Sequence, residues 1–257
     1  MMMTARMLLK RIKRYSYHLA FFPMVLRNSR PGDLKKKYPV YIFHHIPKCG
    51  GTSMVSVLRR WFFVIKDYLR YSHPEDLPYF IRHPVNIQRL RPYHCLSGHF
   101  ALPETHLHQR YPQIWQNQDF KIFTFIRNPL EVKISLYYHE KKRGQREGIS
   151  LEQHLLEREN YMASILDCTL DNYKDVLVRY FFIGITEHLQ SSMDKLAELL
   201  NKRKVKLPVL NRSSRDSQAA GLAPEIIRRF KAANELDYRI YEYCLARFRQ
   251  THGKSDK

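Results

Sequence analysis

The stretch 40-VYIFHHIPKCGGTSMVSVLRRWF-62 decides the fold. Its apolar run over 40–46 is short, continuous and bounded by turn signals, which predicts a buried strand. The run ends in Pro47, Lys48, Cys49, Gly50, Gly51, Thr52 and Ser53, and a helical pattern starts at once. Met54, Val57, Leu58, Trp61 and Phe62 recur at helical spacing, so a helix is expected over 52–66. A strand, a glycine turn and a helix N-terminus together make an anion site. Backbone N–H groups point outward there, and the helix dipole adds about half a positive charge. Gly50 and Gly51 allow close approach of the backbone, Thr52 and Ser53 offer hydroxyls, and Lys48 supplies a mobile charge. The plain alternative is a tight turn with Thr52 or Ser53 as helix N-cap. The loop is not a Walker A motif. That motif needs lysine after its last glycine, and Gly-Lys-Ser/Thr occurs nowhere in the chain.

Outward from this loop, further strands are expected at 93–97, 121–126 and 179–184. Helices are expected at 129–142, 187–202 and 223–249, with short helices over 150–170. Residues 67–92 read as irregular with a short helix. Buried strands alternating with helices imply an α/β architecture, a P-loop-like three-layer fold whose central, mostly parallel sheet carries helices on both faces. Ligands in such sheets bind beyond the carboxyl ends of the strands. Three expected strands end in ligand-capable residues: Lys48 to Ser53, His99 and Arg127.

The chain has 257 residues, enough for one large domain, here assigned to 39–250, with a basic segment and linker at 1–38 and a tail at 251–257. Lys plus Arg number 44 against 24 Asp plus Glu, a formal net charge of +20. Such a surface attracts polyanions. The 4 cysteines form no CxxC, which argues against a zinc ribbon or disulfide framework and suits a reducing compartment. His94, Cys95 and His99 lack a second ligand pair, so no metal is expected. No run reaches the roughly 18 apolar residues of a spanning helix, and the N-terminal LAFFPMVL patch lacks a cleavage site. A cytoplasmic protein is expected. Its basic N-terminal segment either docks on the domain or lies on an anionic membrane surface.

The loop HIPKCGGTS resembles the 5′-phosphosulfate loop of sulfotransferases that use 3′-phosphoadenosine 5′-phosphosulfate (PAPS). It looks most like the carbohydrate group that includes heparan sulfate 2-O-sulfotransferases and bacterial relatives, where it commonly reads HIPKTGGTS. Cys49 stands where the family usually has threonine. The stretch 125-FIRNPLEVKISLYYH-139 resembles the family's 3′-phosphate segment, RxPxxRxxSxYxH, with Arg127 and Ser135 in place and Lys133 one position beyond the second basic residue. Tyr137, Tyr138 and His139 read as helix packing. The 97-SGHF-100 segment resembles the one that carries the family's candidate base, which points to His99, with Glu104 and His94 as alternatives. The 208-PVLNRSSR-215 segment resembles a cofactor-closing loop, which adds Arg212, Ser213 and Ser214.

The resemblance implies in-line transfer of a sulfuryl group from PAPS to a hydroxyl of a carbohydrate acceptor. Lys48 and His99 would be the catalytic residues. Lys48, Cys49, Gly50, Gly51, Thr52, Ser53, Arg127, Ser135, Arg212 and Ser213 would bind the cofactor. Lys141, Lys142, Arg143 and Arg146 could draw in an acidic acceptor. Two rival readings are a nucleotide-dependent phosphoryl transferase on a related sheet and a non-catalytic basic module that binds polyanions. The first lacks its Walker A lysine, and nothing in the sequence looks like a nucleic-acid motif.

Overall fold

The computed structural model describes residues 22–25, 27–28, 32, 35–69, 74–207 and 221–252. Its centre is a five-stranded sheet in the order β2-β3-β1-β4-β5, formed by β1 (Val40–His44), β2 (Phe63–Asp67), β3 (His94–Gly98), β4 (Phe120–Ile126) and β5 (Phe182–Ile185). Every pairing is parallel. Parallel strands need crossover connections, and helices supply them on both faces, as the alternating sequence pattern implies.

Side-chain alternation assigns the two faces. Val40 and Ile42 of β1 and Phe120, Ile122 and Ile126 of β4 join the larger core cluster, with Leu236, Ile240, Cys244 and Phe248 of the C-terminal helix. Phe43, Phe123 and Phe125 point the other way and meet Met54, Val57, Leu58 and Trp61 of the Gly51–Trp61 helix and Met193 and Leu196 of the Leu189–Leu199 helix. Trp61 is fully buried, and its indole N–H donates to the Arg203 carbonyl at 3.0 Å.

Three elements differ from the sequence expectation. The first helix stops at Trp61 rather than 66, because Phe62 turns extended (φ −142°, ψ 156°) and Phe63–Asp67 becomes the edge strand β2. Aromatic and β-branched residues suit a half-buried pleated surface, and β3 is there to pair with them from Phe63↔His94 to Asp67↔Gly98. The strand expected at 179–184 runs instead from Phe182 to Ile185. The long C-terminal helix is two helices, Pro224–Ala233 and Glu235–His252. They break at buried Asn234, whose amide donates to the Phe230 carbonyl and accepts from the Asn160 N–H at 2.8 Å. Asp237, one turn on, accepts from the N–H groups of Met162 and Ala163 at the start of another short helix.

The edge strand is pinned by a buried ion pair. The Asp67 carboxylate accepts from Arg110 Nε at 2.7 Å and Nη2 at 2.9 Å and from the Tyr111 hydroxyl at 2.6 Å. The Arg110 guanidinium also stacks over the Phe80 ring, 3.7 Å from its centroid. Among the described residues no helix is long and apolar enough to cross a membrane. Arg110→Ala leaves the Asp67 charge buried and unpaired, so it should cost about 3–5 kcal/mol of stability. Chemical denaturation of this variant beside an exposed control, Arg228→Ala, measures the difference.

Candidate functional site

Three neighbouring strands, β3, β1 and β4, end side by side. The residues just beyond them are His99, the 45–53 turn and Arg127. Strands lie about 4.8 Å apart, so three adjacent ends fall within about 10 Å of each other. An open cleft of about 710 Å³ runs across them. Its walls include Lys48, Gly50, Gly51, Thr52, Ser53, His99, Arg127 and Ser135.

The turn after β1 is shaped for an anion. Gly50 is the helix N-cap, with φ 79° and no side chain to cap the first turn, and that turn holds no acidic residue. Neither Thr52 nor Ser53 is the N-cap. Lys48 also holds positive φ, 70°, an uncommon conformation for a non-glycine residue. Gly51 has no room for a side chain, because a Cβ there would fall on the His45 ring. Cys49 is buried in the core, and burial pushes its thiol pKa up, so its side chain forms no part of the cleft wall.

Arg127 leaves the end of β4 and turns back to the glycine turn. Its Nη1 donates to the Lys48 carbonyl at 3.5 Å, and its Nη2 pairs with Glu131 at 2.8 Å. Asn128 and Pro129 start the Pro129–Lys141 helix; the Asn128 side chain caps it by accepting from Leu130 and Glu131 N–H. Ser135 follows two turns on and faces the same cleft. Glu187, after β5, accepts the Asn128 N–H at 2.7 Å and so ties the turn after β4 to the neighbouring loop.

Lys133 does not take the second basic role. It is buried, and its Nζ donates to the Glu157 and Arg158 carbonyls at 2.5 and 3.4 Å. Burial lowers its pKa to about 8. Tyr137 packs as expected and donates to the Ile149 carbonyl. His139 does not: it lies on the cleft wall, where burial and then the Lys48 charge push its pKa down. The i, i+4 spacing from Ser135 puts both on one helix face, a signal the sequence already carried.

His99 lines the cleft, and burial lowers its pKa to about 4, so it is neutral and able to accept a proton near neutral pH. Of the other candidate bases, neither Glu104 nor His94 is on the cleft wall. His45 was not singled out by the sequence, yet its Nδ1 lies 3.0 Å from His99 Nε2. Its place at the tip of the strand was the available clue. Thr186, Leu189 and Tyr241 also line the cleft. They come from distant segments and carry no local motif. Arg212, Ser213 and Ser214 lie outside the described residues, as does most of the basic N-terminal segment.

Residues 34–244 match the model described as the Sulfotransferase family. No curated protein matches the chain. Among solved structures, a sulfotransferase from Alicyclobacillus acidocaldarius is similar at 18% identity and a TM-score of 0.43, over 77% of this chain and 95% of that one. Mouse sulfotransferase SULT7A1, complexed with PAP, is similar at 11% identity and a TM-score of 0.40, over 87% of this chain and 93% of that one.

The cluster makes folding sensitive to acid. Burial lowers His44 and His45 from 6.5 to about 3, and His99 and His154 to about 4. Between these values and 6.5 the unfolded chain binds more protons, so stability falls with falling pH. Asp237, raised from 3.8 to about 6 by burial, acts in the opposite sense, but it is one group against four. Thermal midpoints taken from about pH 7.5 down to about pH 4.5 should therefore decline steadily below about 6.5; a flat profile would show that these rings are not buried as neutral groups.

Proposed function

The chain belongs to the sulfotransferase family, and on that premise we propose that it transfers a sulfuryl group from PAPS to a hydroxyl of a carbohydrate acceptor, in line. The observation that carries this reading is the single cleft joining an uncapped helix N-terminus at Gly50 to the Arg127 guanidinium. A nucleotide charged at both its 5′ and 3′ ends needs two cationic grips a fixed distance apart, and one anion site alone would not call for PAPS.

Each residue then has a task. The Gly50–Ser53 turn would hold the 5′-phosphosulfate with N–H groups and hydroxyls. Arg127 and Ser135 would hold the 3′-phosphate; a guanidinium fork suits a phosphate better than a point charge does. Binding there would draw Arg127 from Glu131, an exchange of one anionic partner for another. Arg212 and Ser213 would add contacts from their own segment. Lys48 would neutralise the charge that grows on the bridging oxygen, and preorganised charge of this kind is the main catalytic resource of such transfers. Neutral His99 would take the acceptor's proton. No metal is needed in this scheme, since lysine and backbone dipoles supply the field.

The acceptor is read from charge. Lys141, Lys142 and Arg143 lie at and just after the end of the helix whose Ser135 and His139 line the cleft. Arg146 is held by Glu140 and Glu157. With a net charge of +20, an acidic polysaccharide is the acceptor this surface suits best. The N-terminal segment would serve as a peripheral membrane contact in a cytoplasmic enzyme.

Calorimetry with PAP, ATP and a DNA duplex tests the cofactor: PAP should bind, and the other two should bind much more weakly or not at all. Arg127→Ala should weaken PAP by about 10–100-fold, the worth of a charge-assisted hydrogen bond, and leave AMP nearly unchanged. Lys48→Ala should lower turnover by about 100–1000-fold while changing PAP affinity far less. Near-normal turnover in that variant would refute the role given to Lys48. Sulfation of neutral and acidic glycans at two salt concentrations tests the acceptor, and equal rates with no salt effect would reject the acidic one.

A further inference from the structure

Two carboxylates, Glu131 and Glu187, stand on the wall of a cleft whose other features suit anions. Their hydrogen bonds give them different tasks. Asn128 is the N-cap of the Pro129–Lys141 helix, so Glu131 is the third residue of that helix. A glutamate in this position commonly reaches back to accept the N-cap N–H. In this chain the Asn128 N–H goes to Glu187 instead, at 2.7 Å. The Tyr241 hydroxyl donates to Glu187 as well. Glu187 is thus held from two sides, by the turn after β4 and by the last helix, and it fills the place at the cap that Glu131 would otherwise take.

Glu131 is thereby left to Arg127. Its Oε2 accepts from Arg127 Nη2 at 2.8 Å. Its main chain is fixed, because the Asn128 side chain accepts the Glu131 N–H. The carboxylate is the part that can move. Its side chain is 26% exposed, twice the 13% of Arg127, so water reaches it when it lets go. The positive end of the helix also stays beside it after release.

A phosphate binds arginine best through two parallel N–H donors. Arg127 Nη1 is committed only weakly, to the Lys48 carbonyl at 3.5 Å. Nη2 is committed strongly, to Glu131. A phosphate that takes both donors must therefore displace the Glu131 carboxylate.

We propose that Glu131 is a positioning residue that acts through Arg127: its carboxylate holds the guanidinium, yields it to the 3′-phosphate of the nucleotide and takes it back as the nucleotide leaves. The inference rests on the reading of Arg127 as the 3′-phosphate grip. An anion that must displace another binds less tightly than it would to an uncontested guanidinium. Glu131 therefore lowers affinity for nucleotides with a 3′-phosphate and leaves others alone. Sulfuryl transfer does not touch the 3′-phosphate, so the same exchange operates on the product PAP and helps it leave.

Calorimetry on the full chain with PAP and with AMP, which lacks the 3′-phosphate, tests this. Glu131→Gln keeps the size of the side chain and replaces a charged partner by a neutral one. PAP should bind this variant about 3–10-fold more tightly, and AMP within about twofold of wild type. PAP dissociation should slow by a similar factor. On an Arg127→Ala background the same substitution should change PAP affinity by less than about twofold, because no guanidinium is left to exchange. A residue that merely kept Arg127 in place would give the opposite sign, weaker PAP in Glu131→Gln. That result, an unchanged PAP affinity, or a gain that survives without Arg127 overturns the proposal. Wild-type protein that binds PAP no better than AMP would sink the 3′-phosphate reading and this inference together, whereas a wild-type preference for PAP with no gain in Glu131→Gln sinks this inference alone.

Discussion

The parallel pairing of β1 between β3 and β4 is the constraint on which the rest depends. Its register sets His44 opposite Gly98 and Phe43 opposite Phe123, so the strands finish level and their exit residues meet. A slip of one residue would reverse the faces of β1. Phe43 would leave the side of the Gly51–Trp61 helix, and His45, two residues on along the same face, would leave with it. The cleft is thus a by-product of hydrophobic alternation. The pattern that sorts Val40 and Ile42 from Tyr41 and Phe43 also brings the glycine turn, His99 and Arg127 to one place.

Charge in the cleft is arranged so that cations need not crowd one another. Lys48 and Arg127 carry fixed charge, while burial keeps His45 and His99 neutral next to them. A protonated ring beside Lys48 would repel its ammonium. Two carboxylates stand at the other end. Glu131 holds the Arg127 guanidinium, and Glu187 holds the Asn128 main chain, so each acidic residue of the cleft wall has a mechanical use. The positive field of the chain as a whole, +20, acts at longer range and is weakened by salt.

Much of this site was readable in one dimension because two of its motifs are local. The glycine turn is a property of a dozen consecutive residues, and Arg127 and Ser135 share one strand-to-helix corner. Where local preference and tertiary pairing pull apart, the reading failed. Phe62 to Ile65 continues an apolar helical stripe as well as it starts a strand, and only the presence of β3 decides between them. Lys133 lies in the right motif, but helix rotation turns it into the interior, toward the Glu157 carbonyl. His139, taken as packing, falls on the cleft face with Ser135.

The sequence alone determined the α/β class, the glycine turn after the first strand and the strand-end residues beside it, because periodicity and turn chemistry act over a few neighbouring residues. The tertiary structure decided which of those residues meet. It set His45 against His99, sent Cys49 into the core and brought Tyr241 from the last helix to the cleft wall. Such contacts join residues far apart in the chain. They depend on strand order and helix rotation, which no short stretch of sequence encodes.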